Sequence, residues 1–419
     1  MNSVISKRAK AIAWLLTLVY FASYLMRKNF SVMLVDICGE LAVEKSAIAI
    51  VSTLMTITYG AGQIINGILG DRIKPQTMLT TGLGLAAACN VAMFFAPNIP
   101  VMAAIWAVNG YAHAMLWPPI VRLMSMHLNS DEYGYSAVRV SWGSSIATIV
   151  LYTLCPFLLM VTDWRTVIIG CAVGGVAILA LWVSFQKKVF ADPSSVGGAV
   201  PAEAKAGGAK KKGIPLPLYV FIPIALIMLG IVLQGMLRDG VTDWTPNFLH
   251  ETYGVDKSNA ILFTVIPAIF SMISFSAFDL LHRKVFRNEV TCSAVIFGGA
   301  AVCSLILFAF NTLIPNIVVA IVAVSLIIGC MHGINLMLIT VVPKRFIKSG
   351  KVSTFSGILN ACTYGGSAIA VPGFAMITEM SGNDWNVTVL VWGIISVLGL
   401  AVCLAGVPLW RKFCKEYAN

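Results

Sequence analysis

Charged residues are scarce in this chain. They make up 11% of its 419 residues, against about 25% in an ordinary soluble domain. With 58% hydrophobic residues, this excludes a soluble protein built around one core. Acidic side chains are the scarcer sign, 18 Asp and Glu against 29 Lys and Arg. The excess of +11 could suit nucleic acid. The basic residues gather on no single arm or face, however, so no nucleic-acid partner is expected. CxxC pairs are missing among the ten cysteines, and nearly all of these lie in apolar runs. That argues against a disulfide framework or a metal site and leaves them as small packing residues. No metal or cofactor is expected. Catalytic motifs are missing too, so no enzyme is expected. After Lys7, Arg8 and Lys10 the first apolar run lacks a small-residue cleavage site and continues to Tyr24. It reads as a membrane span, not a removable signal.

Long hydrophobic runs are what the chain has. They fall at 11–35, 46–70, 77–96, 100–126, 134–160, 164–186, 216–239, 257–281, 290–310, 314–342, 351–379 and 385–410. Each is long enough for a bilayer core, which takes about 20 helical residues. The expectation is an all-α, multi-pass membrane protein of twelve spans, with both termini on one side. Only Lys45, Arg165 and Lys257 lie in loops opposite the termini. Arg27, Lys28 and Arg238 lie within or at the ends of spans, and the remaining Lys and Arg flank the terminus side. The positive-inside rule then makes the termini cytoplasmic, in a plasma membrane.

The segment 187–217 is rich in Lys, Ala, Gly and Pro, which predicts a flexible cytoplasmic linker. It separates an N-terminal bundle over 1–186 from a C-terminal bundle over 218–419, six spans each. The two halves look like repeats. Arg27 and Arg238 are 211 positions apart, as are Arg72 and Arg283, and Asp163-Trp164 recurs as Asp384-Trp385. Repeated halves with a midplane site are a transporter architecture.

Gly67-x-x-Gly70-Asp71-Arg72-x-Lys74 resembles the loop motif of the major facilitator superfamily. Tyr24-Leu25-Met26-Arg27-Lys28-Asn29-Phe30 and Leu237-Arg238-Asp239-Gly240-x-x-Asp243-Trp244-x-Pro246 are more specific. They resemble the segments in which organophosphate:phosphate antiporters place two phosphate-binding arginines. That family includes the glycerol-3-phosphate and hexose-phosphate transporters. Trp117-Pro118-Pro119, Lys284-Val285-Phe286-Arg287 and Pro343-Lys344 also match, and the resemblance covers nearly the whole chain. It implies two pseudo-symmetric six-helix bundles working by alternating access. It also implies secondary transport of a sugar phosphate or glycerol phosphate in exchange for inorganic phosphate. The chain departs from the family at two points. Gln63, four residues after Tyr59, replaces a family lysine, and Ile146 stands at the position of a family histidine. His113 stands where the glycerol-3-phosphate type has a glutamine.

Arg27 carries the strongest single signal, because an arginine inside a membrane helix costs about 2.5 kcal/mol or more and usually faces a cavity. Tyr20, Tyr24 and Arg27 share one helix face by their spacing. Two phenols and a guanidinium suit phosphate oxygens, which arginine grips bidentately. Arg238 is the repeat-related partner, with a local ion pair to Asp239 at a helix end as the alternative. Tyr59, Gln63, His113, Trp117 and Tyr364 complete the expected substrate-binding set. His113 reads equally well as a hydrogen-bonded packing residue, and for the polar pairs His332/Asn335 and Asn360/Tyr364 packing is the commoner role, with cavity lining the alternative. A monomeric carrier of small anions, with the lipid bilayer as its other partner, is the expectation. A membrane sensor of sugar phosphates and a proton-coupled carrier of another anion are the alternatives.

Exchange has its own physical argument. Two arginines brought to about 8 Å at an effective dielectric near 20 repel by about 2 kcal/mol. An empty carrier should then be slow to reorient. The argument needs Asp239 to point away from Arg238, as adjacent helical positions normally do.

Overall fold

The computed structural model describes residues 5–43, 45–191, 215–256, 263 and 265–418. No β-strand occurs among them. The principal helices are α1 (Lys7–Val32), α2 (Leu34–Leu41), α3 (Lys45–Gly70), α4 (Pro75–Phe94), α5 (Ile99–Ala114), α6 (Trp117–His127), α7 (Ser130–Leu159) and α8 (Trp164–Val189). They are followed by α9 (Phe221–Tyr253), α10 (Val265–Lys284), α11 (Glu289–Leu313), α12 (Ile317–Asn335), α13 (Val352–Met380) and α14 (Trp385–Phe413). Among the described residues, eleven helical segments are long and apolar enough to cross a membrane. The twelfth span is α13, whose 29 residues suffice in length. Its Ser, Thr, Gly and Asn residues make it less apolar than the rest.

Helix boundaries differ from the apolar runs where backbone hydrogen bonding, not hydrophobicity, sets the length. The fourth run is two helices, α5 and α6, separated by Met115-Leu116 just before Trp117-Pro118-Pro119. Prolines supply no N–H and so favour a helix start over a helix interior. The seventh run ends at Asp239, yet α9 continues to Tyr253. Thr242 Oγ1 bonds back to the Arg238 carbonyl at 2.5 Å, and Thr245 Oγ1 to that of Val241 at 2.6 Å. Arg238 therefore sits inside a helix, not at its end. Lys187 and Lys188 belong to the last turn of α8, where positive charge meets the negative end of the helix dipole. Most of the expected linker, 192–214, lies outside the described residues.

The chain forms two compact units. One comprises Met1–Leu216 with Pro343–Ile358, and the other Pro217–Val342 with Leu359–Asn419. The same three helix pairs build each. In the first unit α1 packs on α7, α3 on α5 and α4 on α8; in the second, α9 packs on α13, α10 on α12 and α11 on α14. Glycine permits the closest crossings. A Cβ at Gly143 on α7 would stand 2.7 Å from the Thr17 carbonyl oxygen of α1, and one at Gly366 on α13 would stand 2.1 Å from that of Val232 on α9. Thr58 Oγ1 reaches the Ala107 carbonyl at 2.7 Å across α3 and α5. Trp182 Nε1 reaches Thr80 Oγ1 at 3.0 Å across α4 and α8.

The repeated Asp-Trp pairs have one role in both units. Asp163 caps α8 by accepting from Thr166 N at 2.7 Å, and Asp384 caps α14 by accepting from Asn386 N at 2.9 Å. Each following indole then donates to a carboxylate: Trp164 Nε1 to Glu40 at 2.6 Å, Trp385 Nε1 to Glu251 at 2.9 Å. Glu40 and Glu251 are separated by the same interval as Arg27 and Arg238. Asp71 is one of the ties between 343–358 and the rest of the first unit. Its carboxylate accepts from Ser353 N at 2.8 Å, Thr354 N at 3.0 Å and Thr354 Oγ1 at 2.6 Å, capping α13. Burial pushes the Asp71 carboxyl above its ordinary pKa, opposed by the Thr354 and Ser353 hydrogen bonds and by the Arg122 charge. Arg122 donates to the carbonyls of Gly70 and Ile73, holding the turn that presents Asp71.

Candidate functional site

The first unit gathers Tyr20, Tyr24, Arg27, Tyr59, His113 and Trp117 along two turns of α1, whereas Gln63 is buried on α3 one turn beyond Tyr59. Two asparagine amides clasp the Met26 carbonyl: Asn90 Nδ2 at 2.9 Å and Asn109 Nδ2 at 3.2 Å. Asn29 Nδ2 donates to Asn90 Oδ1 at 2.7 Å, and Phe30 N donates to Asn29 Oδ1 at 2.8 Å. This network, on α1, α4 and α5, fixes the backbone from which Arg27 projects.

Arg27 is buried, at 7% exposure. Its guanidinium carbon lies 4.4 Å from the Tyr24 ring centre and 4.6 Å from that of Tyr59 on α3. Each such contact contributes about 0.5–2 kcal/mol, so together they offset much of the cost of placing arginine in a membrane helix. Tyr20 continues the aromatic wall, 5.1 Å from Tyr24 and 5.0 Å from Trp117 between ring centres.

His113 is buried, with Nδ1 3.1 Å from Ser23 Oγ. Its Nε2 has no hydrogen-bond partner among the described residues, nor do Trp117 Nε1, Asn109 Oδ1 or the side-chain amides of Gln63 and Asn66. All five residues are buried. Each such group costs about 1–3 kcal/mol when left unsatisfied, so hydrogen bonds from a polar ligand would be favoured here; other buried groups without partners, such as Ser325 Oγ and Trp392 Nε1, lie outside this set.

The second unit places Arg238 on α9, the counterpart of α1. Arg238 is nearly buried, at 9% exposure, and its guanidinium carbon lies 5.5 Å from the Tyr364 ring centre on α13. Asp239 departs from the expectation that it points elsewhere. Arg238 Nε donates to Asp239 Oδ1 at 2.6 Å, and Nη2 to Oδ2 at 2.7 Å. Adjacent helical residues diverge by about 100° at Cβ, but the long arginine side chain folds back across that angle. Ser367 Oγ on α13, which donates to Asp239 Oδ2 at 2.5 Å, draws the carboxylate toward it. His332 on α12 packs its ring against Phe275 on α10, 5.3 Å between centres.

Sequence reasoning missed Ser367 and Ser23. Ser367 follows Tyr364 by three residues and shares its helix face, so spacing could have found it. Ser23 precedes Arg27 by four, and its link to His113 depends on how α1 and α5 pack.

A family model, the Major Facilitator Superfamily, matches residues 16–371, and the chain belongs to that superfamily. Among relatives, it is 23% identical over 412 residues to the glycerol-3-phosphate transporter of Bacillus subtilis (strain 168), covering 91% of this chain and 89% of that protein. It is 24% identical over 254 residues to the membrane sensor protein UhpC of Salmonella typhimurium, covering 58% of this chain and 57% of that protein. The proton:xylose symporter XylE, solved with 6-bromo-6-deoxy-D-glucose, superposes with a TM-score of 0.74 at 13% identity, over 99% of this chain and 97% of that one. At that identity the likeness is one of fold.

Proposed function

We propose that this protein is a secondary active transporter of organic phosphates, such as a sugar phosphate or glycerol phosphate. It works by alternating access and accepts inorganic phosphate as counter-substrate. One observation carries the reading: each unit presents one buried arginine beside tyrosine, on helices α1 and α9 that correspond in the repeat. Arginine is the side chain suited to gripping phosphate oxygens in pairs. Tyr20, Tyr24, Tyr59, Gln63, His113 and Trp117 serve the substrate from the first unit, and Tyr364 from the second. The buried donors and acceptors without partners on His113, Gln63, Asn66, Asn109 and Trp117 suit the hydroxyls of a polyol phosphate. The glycerol-3-phosphate transporter among the relatives supports this substrate class. The protein acts as a monomer in the plasma membrane, with both termini cytoplasmic.

Competition for counterflow tests the substrate class. Labelled phosphate is exchanged in proteoliposomes while unlabelled glycerol phosphate, hexose phosphates, sulfonates and carboxylates are added in turn. The reading predicts inhibition by at least one organic phosphate well below the concentration at which sulfonates or carboxylates act. Inhibition by a sulfonate or carboxylate alone would reassign the substrate. The sensor reading draws on the UhpC match and predicts organophosphate binding with no counterflow.

A further inference from the structure

Arg238 is held by a carboxylate from its own helix. We propose that Asp239 is a built-in counter-anion, taking the place of substrate on Arg238 in the anion-free carrier and so allowing a cycle without a returning anion. The inference rests on the phosphate-carrier reading above.

Three observations carry it. Asp239 occupies Nε and Nη2 of Arg238 at 2.6 and 2.7 Å. This paired grip is the one arginine offers to phosphate as well as to carboxylate, so substrate and Asp239 compete for the same donors. The carboxylate is also fixed from a second helix, since Ser367 Oγ donates to Asp239 Oδ2 at 2.5 Å. Ser367 adjoins Gly366, where α13 lies against the α9 backbone, so the geometry is set by the tightest crossing in the unit. Finally, side-chain exposure is 11% for Arg238 and 28% for Asp239. The carboxylate is therefore the more accessible member of the pair.

A buried charge without a partner is strongly disfavoured, whereas a paired one is tolerated. With Asp239 in place, this corner is neutral when no substrate is bound. An incoming anion must take donors from Asp239, which weakens binding, and Asp239 returns when the anion leaves, which assists release. Strict exchange, expected for two uncompensated arginines, is thereby relaxed to exchange plus net flux.

The test is efflux of labelled phosphate from loaded proteoliposomes into buffer with or without external phosphate. Wild-type protein should release label in both, the external anion changing the rate by less than about tenfold. In Asp239→Asn, efflux into phosphate-free buffer should fall by at least about tenfold, because an uncompensated cation now opposes reorientation of the empty carrier. Efflux with external phosphate should continue, at a lower half-saturating concentration. Ser367→Ala, which loosens the carboxylate without removing it, should fall between the two. Wild-type efflux that strictly requires external phosphate overturns the inference and leaves the carrier reading intact, whether or not Asp239→Asn folds. Equal, anion-independent efflux by wild type and Asp239→Asn overturns it as well. Absence of any labelled phosphate counterflow by the wild type overturns both.

Discussion

Arg27 shows what a guanidinium does that an ammonium cannot. Its flat cation lies against the ring faces of Tyr24 and Tyr59, and its fork remains suited to two oxygens at once. Arg27→Lys keeps the charge but loses the stacking and the paired grip. Losing one charged hydrogen bond costs about 1.5–3 kcal/mol. Phosphate counterflow should therefore drop on the order of 10- to 100-fold in Arg27→Lys, and likewise in Arg238→Lys, with normal amounts of protein inserted in the membrane. Full activity in either variant removes that arginine from the site. Arg27 and Tyr24 were legible in the sequence because their partnership is local to one helix face. The Tyr59 ring comes from another helix and was placed there only by the family resemblance. Asp239 misled, because the spacing rule for adjacent helical residues describes Cβ directions and not the reach of an arginine. The pull of Ser367 comes from α13, 128 positions away.

Helices in this chain are located by hydrophobic runs but bounded by other forces. The runs found each span because a bilayer demands about 20 apolar residues. They missed the break before Trp117, which the prolines decide, and the extension of α9 past Arg238, where backbone hydrogen bonding carries the helix on through polar residues to Tyr253. Helix contacts are decided at glycines. A side chain at Gly366 would collide with the Val232 carbonyl, a backbone atom that cannot step aside. Nothing lies within 4 Å of a Cβ at the neighbouring Gly365. Gly366→Leu should lower the midpoint of thermal unfolding in detergent or prevent folding altogether, since overpacking costs about 1–3 kcal/mol or more. Gly365→Ala should leave the midpoint near that of the wild type. Equal behaviour of the two variants would contradict the close crossing of α9 and α13.

At the scale of the molecule, the interval of 211 positions announced a repeat before any helix was placed. The structure gives it content in matching helix pairs and in matched glutamate–indole contacts at Glu40 and Glu251. The allotment of 343–358 to the first unit was not legible, because it depends on contacts distant in sequence, such as Asp71 capping a helix 282 positions away and Gly67 packing against Gly357. Orientation is a separate expectation, resting on the distribution of Lys and Arg. Lys187, exposed at the end of α8, provides a test against native cysteines that are all buried or partly buried. Lys187→Cys should react with an impermeant maleimide only after cells are permeabilised. Labelling of intact cells would invert the topology. The central claim is that this carrier moves organic phosphates. Its most direct test is uptake of labelled glycerol 3-phosphate and hexose 6-phosphates into proteoliposomes loaded with inorganic phosphate. The account predicts that at least one accumulates faster than in vesicles without protein, and faster still with phosphate inside than without. Failure of every organic phosphate to enter above the protein-free rate would contradict it.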